Sequence, residues 1–183
     1  VMNEHGDRSR THGITKAILE AQAQALNLPI CFFSSTWTDY EKKYIKTLKD
    51  LVVSYPITHT VFGDIDIESH KQWEEKVSIA ANLTAVLPLW QGQRRQLVLD
   101  MINMGIEAII VSCNMDLGPS FLGRTVDEAI IEEFEALGVD ACGENGEFHT
   151  LVVNAPFFNK KVNVKVTSKA VSSNYNFANL ELI

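Results

Sequence analysis

EAIIVS, residues 107–112, is the clearest buried strand of this sequence, because its apolar run is continuous instead of alternating. Upstream of it, segments with helical apolar spacing alternate with short apolar runs. The connections between those runs are too long for hairpins and have the length of parallel crossovers. The pattern therefore predicts an α/β fold built on a parallel sheet.

On the amino-terminal side of this strand, apolar spacing predicts helices over 15–27, 38–54, 66–82 and 91–104. Short apolar runs predict strands over 29–33, 59–62 and 85–87, the first as a strand buried on both faces. Pro88 closes the third of these strands, because proline cannot donate to a strand ladder. These elements supply the alternation on which the α/β prediction depends.

Toward the carboxyl terminus the pattern changes. A helix is predicted near 125–137 and is capped by Gly138. Strands are then predicted over 151–153, 162–166 and 180–183, joined directly without helices. This end is therefore predicted to be a small mixed α+β extension, and its tail from residue 161 onward could pair between subunits in a homo-oligomer.

Composition narrows the classes of function. A length of 183 residues suits one compact unit, and no apolar run is long enough to span a bilayer. The net charge of −7 argues against a non-specific nucleic-acid surface. Three dispersed cysteines without a Cys-x-x-Cys pair disfavour zinc and disulfide frameworks, and no metal site is predicted. Residues 1–10 are too polar for a signal peptide, so cytoplasmic localisation is expected.

The motif most suited to chemistry is CGENGEFHT, residues 142–150. It combines two glycines, two carboxylates and an imidazole: Gly143, Gly146, Glu144, Glu147 and His149. In a strand, side chains alternate between faces, so Glu147 and His149 are expected on one face and Phe148 on the other. The alternative is that Asn145-Gly146 forms a tight hairpin turn, which would explain the glycine but not the acids and histidine.

Further candidates follow predicted strands at their carboxyl ends, where ligands bind in open α/β sheets. Gly63 would let a nucleotide approach the backbone, with Asp64 accepting from a hydroxyl or holding Mg²⁺; the alternative is a turn glycine and a helix cap. His12-Gly13 is either part of this edge or a solvated loop. Arg124 could bind phosphate or carboxylate bidentately, or form a structural salt bridge.

Six segments together resemble a known family, the diphthine–ammonia ligase group of N-type ATP pyrophosphatases in the PP-loop superfamily. They run in family order across nearly the whole chain, and the nine-residue motif is the most specific: residues 12–14, 63–65, 88–90, 120–124, 142–150 and 155–158. Walker, dinucleotide-fingerprint, nucleophile-elbow and zinc-protease motifs do not occur in the sequence.

The resemblance implies a Rossmann-like, adenine nucleotide alpha hydrolase-like fold that binds ATP, with Mg²⁺, and adenylates a carboxylate. Pyrophosphate leaves and ammonia attacks to give an amide. Residues 1–87 would form the nucleotide-binding domain, with His12, Gly13, Gly63 and Asp64. Residues 88–183 would form the substrate side, where Glu147 and His149 would be catalytic. Substrate-binding residues there would be Gly143, Glu144, Asn145, Gly146 and Arg124.

The chain departs from the family in lacking its Ser-Gly-Gly-Lys-Asp-Ser phosphate loop. We expect a strand and helix upstream of Val1 to supply that loop in the full protein. A non-catalytic adenine-nucleotide-binding module of the same fold is the alternative function. An RNA-modifying enzyme is disfavoured by the acidic balance. The acceptor carboxylate is not identified by the sequence, and a modified protein side chain is one candidate.

Overall fold

The computed structural model describes residues 1–172 and 174–183. The helices within these residues are α1 (Lys16–Ala25), α2 (Tyr40–Ser54), α3 (Glu68–Ile79), α4 (Arg94–Asn103) and α5 (Glu128–Ala136). The strands are β1 (His59–Val61), β2 (Thr84–Val86), β3 (Glu107–Asn114), β4 (Phe148–Asn154), β5 (Val164–Ser172) and β6 (Tyr175–Leu182). The chain divides into two compact units, one of Val1–Phe32 with Arg94–Ile183 and one of Phe33–Gln93.

The first unit is built on a four-stranded sheet of order β4-β3-β6-β5. Its neighbouring strands are all antiparallel, and β3 lies between β4 and β6. The residues of β3 from Ala108 to Cys113 are buried. This strand is therefore the centre of the unit.

Helices cover both faces of that sheet. On one face Val98 of α4 and Phe134 of α5 pack with Phe148 of β4 in a buried cluster. On the other face Ile18 of α1 packs with Val111 of β3 in a second cluster. Each fully buried side chain of this size contributes about 1.5–3 kcal/mol of transfer free energy. The unit is thus a three-layer arrangement of helix, sheet and helix.

The second unit contains a two-stranded sheet in which β1 and β2 are parallel, with His59 opposite Thr84. Its core joins Leu48 of α2 to Val77 of α3. Tyr44 and Trp73 pack edge to face against this core, with ring centroids 5.1 Å apart. This unit therefore has a separate apolar core.

Most predicted elements are confirmed, within a few residues at their ends. The predicted strand over 29–33 is wrong: its backbone is irregular, and Ile30 is 42% exposed. An apolar run is compatible with a strand, but it becomes one only beside a neighbouring strand with a free edge. Among the described residues, no strand pairs with residues 29–33.

The predicted mixture of helices and strands is confirmed, and parallel pairing occurs between β1 and β2. The prediction that β3 belongs to a parallel sheet is wrong, because both of its partners run antiparallel to it. A continuous apolar run shows that both faces of a strand are covered and does not show the direction of its neighbours. Here the covering elements are α1 on one face and α4 with α5 on the other.

Residues 1–32 and 94–183 form one compact unit. The predicted division into residues 1–87 and 88–183 instead separates a nucleotide-binding part from a substrate-binding part. That division by role stays a prediction. Among the helices of the described residues, none is both long enough and apolar enough to span a bilayer.

Candidate functional site

The segment between α5 and β4 carries the CGENGEFHT motif and turns at its two glycines. Gly143 has a φ of 70° and Gly146 a φ of 82°, both in the left-handed region. A Cβ on Gly143 would lie 2.9 Å from the carbonyl oxygen of Phe148, so a larger residue would force movement. Asn145 does not have positive φ, and the segment follows a helix. The alternative of a two-residue hairpin turn is therefore wrong.

Side chains at the start of β4 alternate between the two faces of the sheet, as predicted. Phe148 stacks on Phe134 with ring centroids 4.6 Å apart, in the core beneath α4 and α5. His149 points to the other face and lies opposite Ser112 of β3. The motif is thus anchored by a buried aromatic ring, and it presents its imidazole away from that core.

A β-bulge in β3 brings a serine to this imidazole. The bulge lies at Val111, one residue before the pair formed by Ser112 and His149. Val111 packs in the core beneath α1, and Ser112 is fully buried, with its hydroxyl donating to the carbonyl oxygen of Thr11 at 3.4 Å. Bulges occur often beside functional sites because they redirect side chains. The strand therefore changes from packing to presenting polar groups at this point.

Three side chains, His12, His149 and Tyr175, form what we call the imidazole cluster. The ring centroids of His12 and His149 are 4.9 Å apart, and those of His149 and Tyr175 are 6.0 Å apart. The Tyr175 hydroxyl donates to the carbonyl oxygen of Gly146 at 2.6 Å. The cluster thus joins a predicted nucleotide-binding residue, a predicted catalytic residue and the motif backbone within one unit.

The loop that carries His12 packs closely on β6 through Gly13. Gly13 has a φ of 69°, and a Cβ there would lie 2.7 Å from Cδ1 of the Phe177 ring. The Nδ1 atom of His12 lies 2.9 Å from the Thr11 hydroxyl. The glycine therefore allows the loop to hold the His12 ring against the sheet, and the alternative of a freely solvated loop histidine is disfavoured.

Burial keeps both imidazoles of the cluster neutral near pH 7. It lowers the pKa of His12 from 6.5 to about 4, with the neighbouring His149 as the second cause. It also lowers the pKa of His149. A neutral imidazole has one nitrogen that can accept a proton or a hydrogen bond. The cluster therefore offers proton acceptors instead of cations.

Glu147 lies beside this cluster at the start of β4. Its Oε1 accepts from the side-chain amide of Asn145 at 3.1 Å, and its backbone carbonyl accepts from the amide of Asn114 at 2.8 Å. Its Oε2 is buried and has no hydrogen-bond partner among the described residues. Buried carboxylate oxygens normally have a donor, so this atom is suited to a ligand that brings its own N–H or O–H group.

Arg124 is engaged in an ion pair. Its guanidinium donates to both carboxylate oxygens of Glu133, at 2.7 Å and 2.5 Å, and lies over the Phe121 ring with 5.1 Å from Cζ to the ring centroid. The hydrogen bond to Glu133 raises the pKa of Arg124 above its usual value. This geometry favours the structural alternative, and substrate binding by Arg124 stays a prediction.

The second unit holds the other predicted nucleotide-binding residues, just after β1. A Cβ on Gly63 would have no heavy atom within 4 Å. The Oδ1 atom of Asp64 lies 2.7 Å from Nδ1 of His70, a histidine for which the sequence suggested no role. The Nζ atom of Lys71 lies 4.9 Å from the centroid of the Trp90 ring. Open space at Gly63 is compatible with the approach of a ligand to the backbone.

Two residues that shape the motif, Tyr175 and Asp140, were not predicted from the sequence. Tyr175 gave no signal, because its contact with Gly146 depends on the pairing of β6 with β3. Asp140 accepts hydrogen bonds from the backbone amides of Cys142 and Glu144. An aspartate just before a glycine turn is a known signal for this kind of side-chain to backbone bond, so Asp140 could have been found.

Comparisons with known proteins agree over most of the chain. A family model described as the diphthamide synthase N-terminal domain matches residues 1–84, and one described as the diphthamide synthase C-terminal domain matches residues 93–182. The chain is similar to the diphthine–ammonia ligase of Rattus norvegicus, with 35% identity over 109 residues, 57% of this chain and 41% of the relative. The Homo sapiens protein of that name is 34% identical over the same shares. The one from Danio rerio is 27% identical over 151 residues, 80% of this chain and 59% of the relative. The match thus spans less than two thirds of each of these three relatives.

Proposed function

This chain belongs to the diphthine–ammonia ligase family, and we propose that it contributes the acceptor side of an ATP-dependent amide-forming ligase. In the proposed reaction a carboxylate oxygen of the substrate attacks the α-phosphorus of ATP, forming an acyl adenylate and releasing pyrophosphate. The nitrogen of ammonia then attacks the acyl carbon, loses a proton and displaces AMP. The proposal includes a PP-loop type, adenine nucleotide alpha hydrolase-like fold for the complete nucleotide domain.

The observation that carries this proposal is the imidazole cluster beside Glu147. Ammonia becomes a nucleophile only without its extra proton, and the amide forms only when a further proton leaves the nitrogen. Burial lowers the pKa of His149 and so leaves one of its ring nitrogens unprotonated near pH 7. That nitrogen is suited to accept the proton. The buried Oε2 of Glu147 is suited to accept an N–H from the incoming ammonia and so to orient it.

His12 has a different role in this proposal from that of a nucleotide contact alone. Its ring lies 4.9 Å from that of His149, centroid to centroid, so a charge on one imidazole disfavours a charge on the other. Because burial is what lowers the pKa of His149, the role proposed for His12 is to cover the His149 ring. Whether it also contacts nucleotide is a separate prediction.

For the nucleotide side we propose Gly63 and Asp64, because the space beside Gly63 lets a ligand reach the backbone. Among the described residues no three His, Cys, Asp or Glu side chains come together as potential metal ligands. Mg²⁺ enters the proposal only as a counterion of the ATP phosphates. No step of the acceptor chemistry is assigned to it.

A non-catalytic adenine-nucleotide-binding module remains the second candidate, and one observation favours it. Arg124, the cation predicted to bind the substrate carboxylate, is held by both oxygens of Glu133. An acceptor site without a free cation would be less suited to a carboxylate. The two candidates differ in whether pyrophosphate is released.

The test is to incubate the full-length protein with ATP, ammonium and candidate carboxylates, and to separate the nucleotides. We expect AMP and pyrophosphate; ADP and phosphate as sole products would contradict the ligase. Glu147→Gln and His149→Ala should lower amide formation by about 10²–10⁴-fold, the usual worth of positioned acid and base groups, while ATP affinity changes less than about threefold.

Matched controls are Glu132→Gln and His5→Ala, which change the same residue types at exposed positions outside the cluster. Both should retain parental rates. Loss of ATP binding in Glu147→Gln or His149→Ala would show that the motif belongs to the nucleotide side instead.

A further inference from the structure

The turn that opens the motif is organised around the carboxylate of Asp140. Its Oδ2 accepts from Nη1 of Arg94 at 2.9 Å and from the backbone amide of Glu144 at 2.8 Å. Its Oδ1 accepts from the backbone amide of Cys142 at 3.3 Å. The Asp140 side chain is only 11% exposed. One carboxylate thus binds one guanidinium and two amides of the same turn.

The same turn is tied to the first residue of α4 by a second contact. The thiol of Cys142 donates to the carbonyl oxygen of Arg94 at 3.0 Å. Ala141, between the two, is buried in one cluster with Val98 of α4. Side chain, backbone and apolar packing therefore fix the turn on the start of α4.

From there the constraint continues along the backbone into the motif. The Gly143 amide donates to the Asp140 carbonyl oxygen at 3.1 Å, and the Gly146 amide donates to the Gly143 carbonyl oxygen at 2.9 Å. The next residue, Glu147, carries the buried Oε2 atom. The position of that carboxylate is thus connected to Asp140 through consecutive hydrogen-bonded turns.

α4 offers an internal comparison for this ion pair. The adjacent Arg95 donates from Nε to Glu135 of α5, also at 2.9 Å, but its side chain is 52% exposed and that of Glu135 is 42% exposed. Exposed pairs of this kind contribute little. In the other pair the side chain of Asp140 is 11% exposed and that of Arg94 26%, so removing one partner leaves a largely buried charge uncompensated. The two ion pairs therefore have the same length, but loss of the Arg94–Asp140 pair should destabilise the protein more than loss of the Arg95–Glu135 pair.

We propose that the Arg94–Asp140 pair is the positioning element of the acceptor site. It holds the turn from Cys142 to Gly146 in the conformation that places Glu144 and Glu147. Neither Arg94 nor Asp140 touches the reacting atoms; both act through the turn. The functional part of this inference rests on the proposed ligase activity, and the structural part does not.

Amide hydrogen exchange of residues 142–147 tests the structural part without any activity measurement. Asp140→Asn keeps the size of the side chain but removes its charge and places an NH₂ donor where one of the two oxygens accepted. We expect exchange in the turn to rise about ten- to a hundredfold, as for loss of hydrogen bonds to a charged group. Glu135→Gln, the matched control, should change it less than twofold. Unchanged exchange in Asp140→Asn, or an equal rise in Glu135→Gln, would overturn the proposal.

Arg94→Lys provides a second variant in case Asp140→Asn does not fold. Lysine keeps the positive charge and loses the planar fork, so it should give an intermediate rise in exchange. Arg95→Lys is its control and should leave exchange in residues 142–147 as it is in the parent. If Arg94→Lys behaves like Arg95→Lys, Arg94 does not hold the turn and the proposal is rejected.

Kinetics test the functional part. In Asp140→Asn we expect KM for the acceptor or ammonium to rise about tenfold or more, with ATP affinity changed less than about threefold. A loss of ATP affinity as large as the rise in KM would mean a general structural defect and would contradict positioning. A loosened turn in a protein that releases no pyrophosphate would reject the ligase activity and keep the positioning element. If the enzyme is active and exchange in the turn is unchanged in Asp140→Asn, the ligase activity is kept and the positioning element is rejected.

Discussion

Gly143 in the first unit and Gly63 in the second unit have similar sequence contexts, since each precedes a carboxylate. Their surroundings differ. A Cβ on Gly143 would meet the backbone of Phe148 at 2.9 Å, whereas a Cβ on Gly63 would meet nothing within 4 Å. Gly143 also has positive φ, and Gly63 does not. The first glycine is required by packing, and the other leaves room for a ligand.

The carboxylates near these glycines differ in the same way. Glu147 has one buried oxygen in the motif, and Asp140 beside it is nearly buried and bound by three donors. Asp64 instead has a 54% exposed histidine, His70, as its partner. The motif of the first unit is therefore preorganised by its own packing. The corner after β1 is an open surface.

Substituting alanine for each of the two glycines should give the largest difference in stability between the two regions. Gly143→Ala places a β-carbon in the left-handed region and against Phe148, so we expect about 2–4 kcal/mol of lost stability from backbone strain and overpacking. Gly63→Ala should change stability by less than about 1 kcal/mol and could raise it, because alanine restricts the unfolded chain. Urea unfolding of both variants measures this, and equal losses would remove the distinction between the regions.

The pH dependence of stability should reveal the buried imidazoles of the first unit. His12 binds its proton with a pKa of about 4 when folded and 6.5 when unfolded. Between these values the unfolded chain binds more protons, so stability falls as the pH falls and is unaffected by His12 above the upper value. We expect a loss of about 2–3 kcal/mol from this group between pH 7 and pH 4.

His12→Gln should reduce that slope because glutamine does not titrate. Urea midpoints at a series of pH values in this interval provide the measurement. A variant whose midpoints fall as steeply as those of the parent would show that the His12 ring is not held away from water in the folded protein.

The smallest effect is expected at the exposed pair of the second unit. His70→Ala removes the 2.7 Å contact with Asp64, but the histidine side chain is 54% exposed. Contacts of this kind contribute about 0–1 kcal/mol, so the unfolding midpoint should hardly move. A loss above about 1.5 kcal/mol would show that the corner after β1 is as tightly built as the motif of the first unit.

The sequence predicted the elements of this fold better than their arrangement. The apolar run of β3 correctly indicates a strand covered on both faces, but burial does not show whether β4 and β6 run parallel or antiparallel to it. The run over 29–33 has the same apolar character and forms no strand. Pairing partners lie far away in sequence, so local pattern cannot identify them.

The site was predictable where its residues are close in sequence. The alternation predicted for the strand is confirmed at Phe148 and His149, and Gly143 and Gly146 have the positive φ that glycine permits. The contact between the rings of His12 and His149 could not be predicted, because it depends on how the loop before α1 packs on the sheet. Tertiary packing, not spacing, brings those two histidines together.

The central position of β3 in the sheet also affects how the protein folds during synthesis. Its two partner strands, β4 and β6, follow it only after a helix and long connections, so β3 pairs with distant segments, whereas β5 and β6 form a local hairpin. Such topologies form slowly, because loop closure precedes any gain from contact. Until Tyr175 and Phe177 leave the ribosome, the edge of β3 at Ser112–Asn114 has no partner from β6, and its backbone hydrogen-bonding groups stay open to misassociation. In a cell, this strand order should therefore affect two properties of variants in β6: their dependence on chaperones and their aggregation during synthesis.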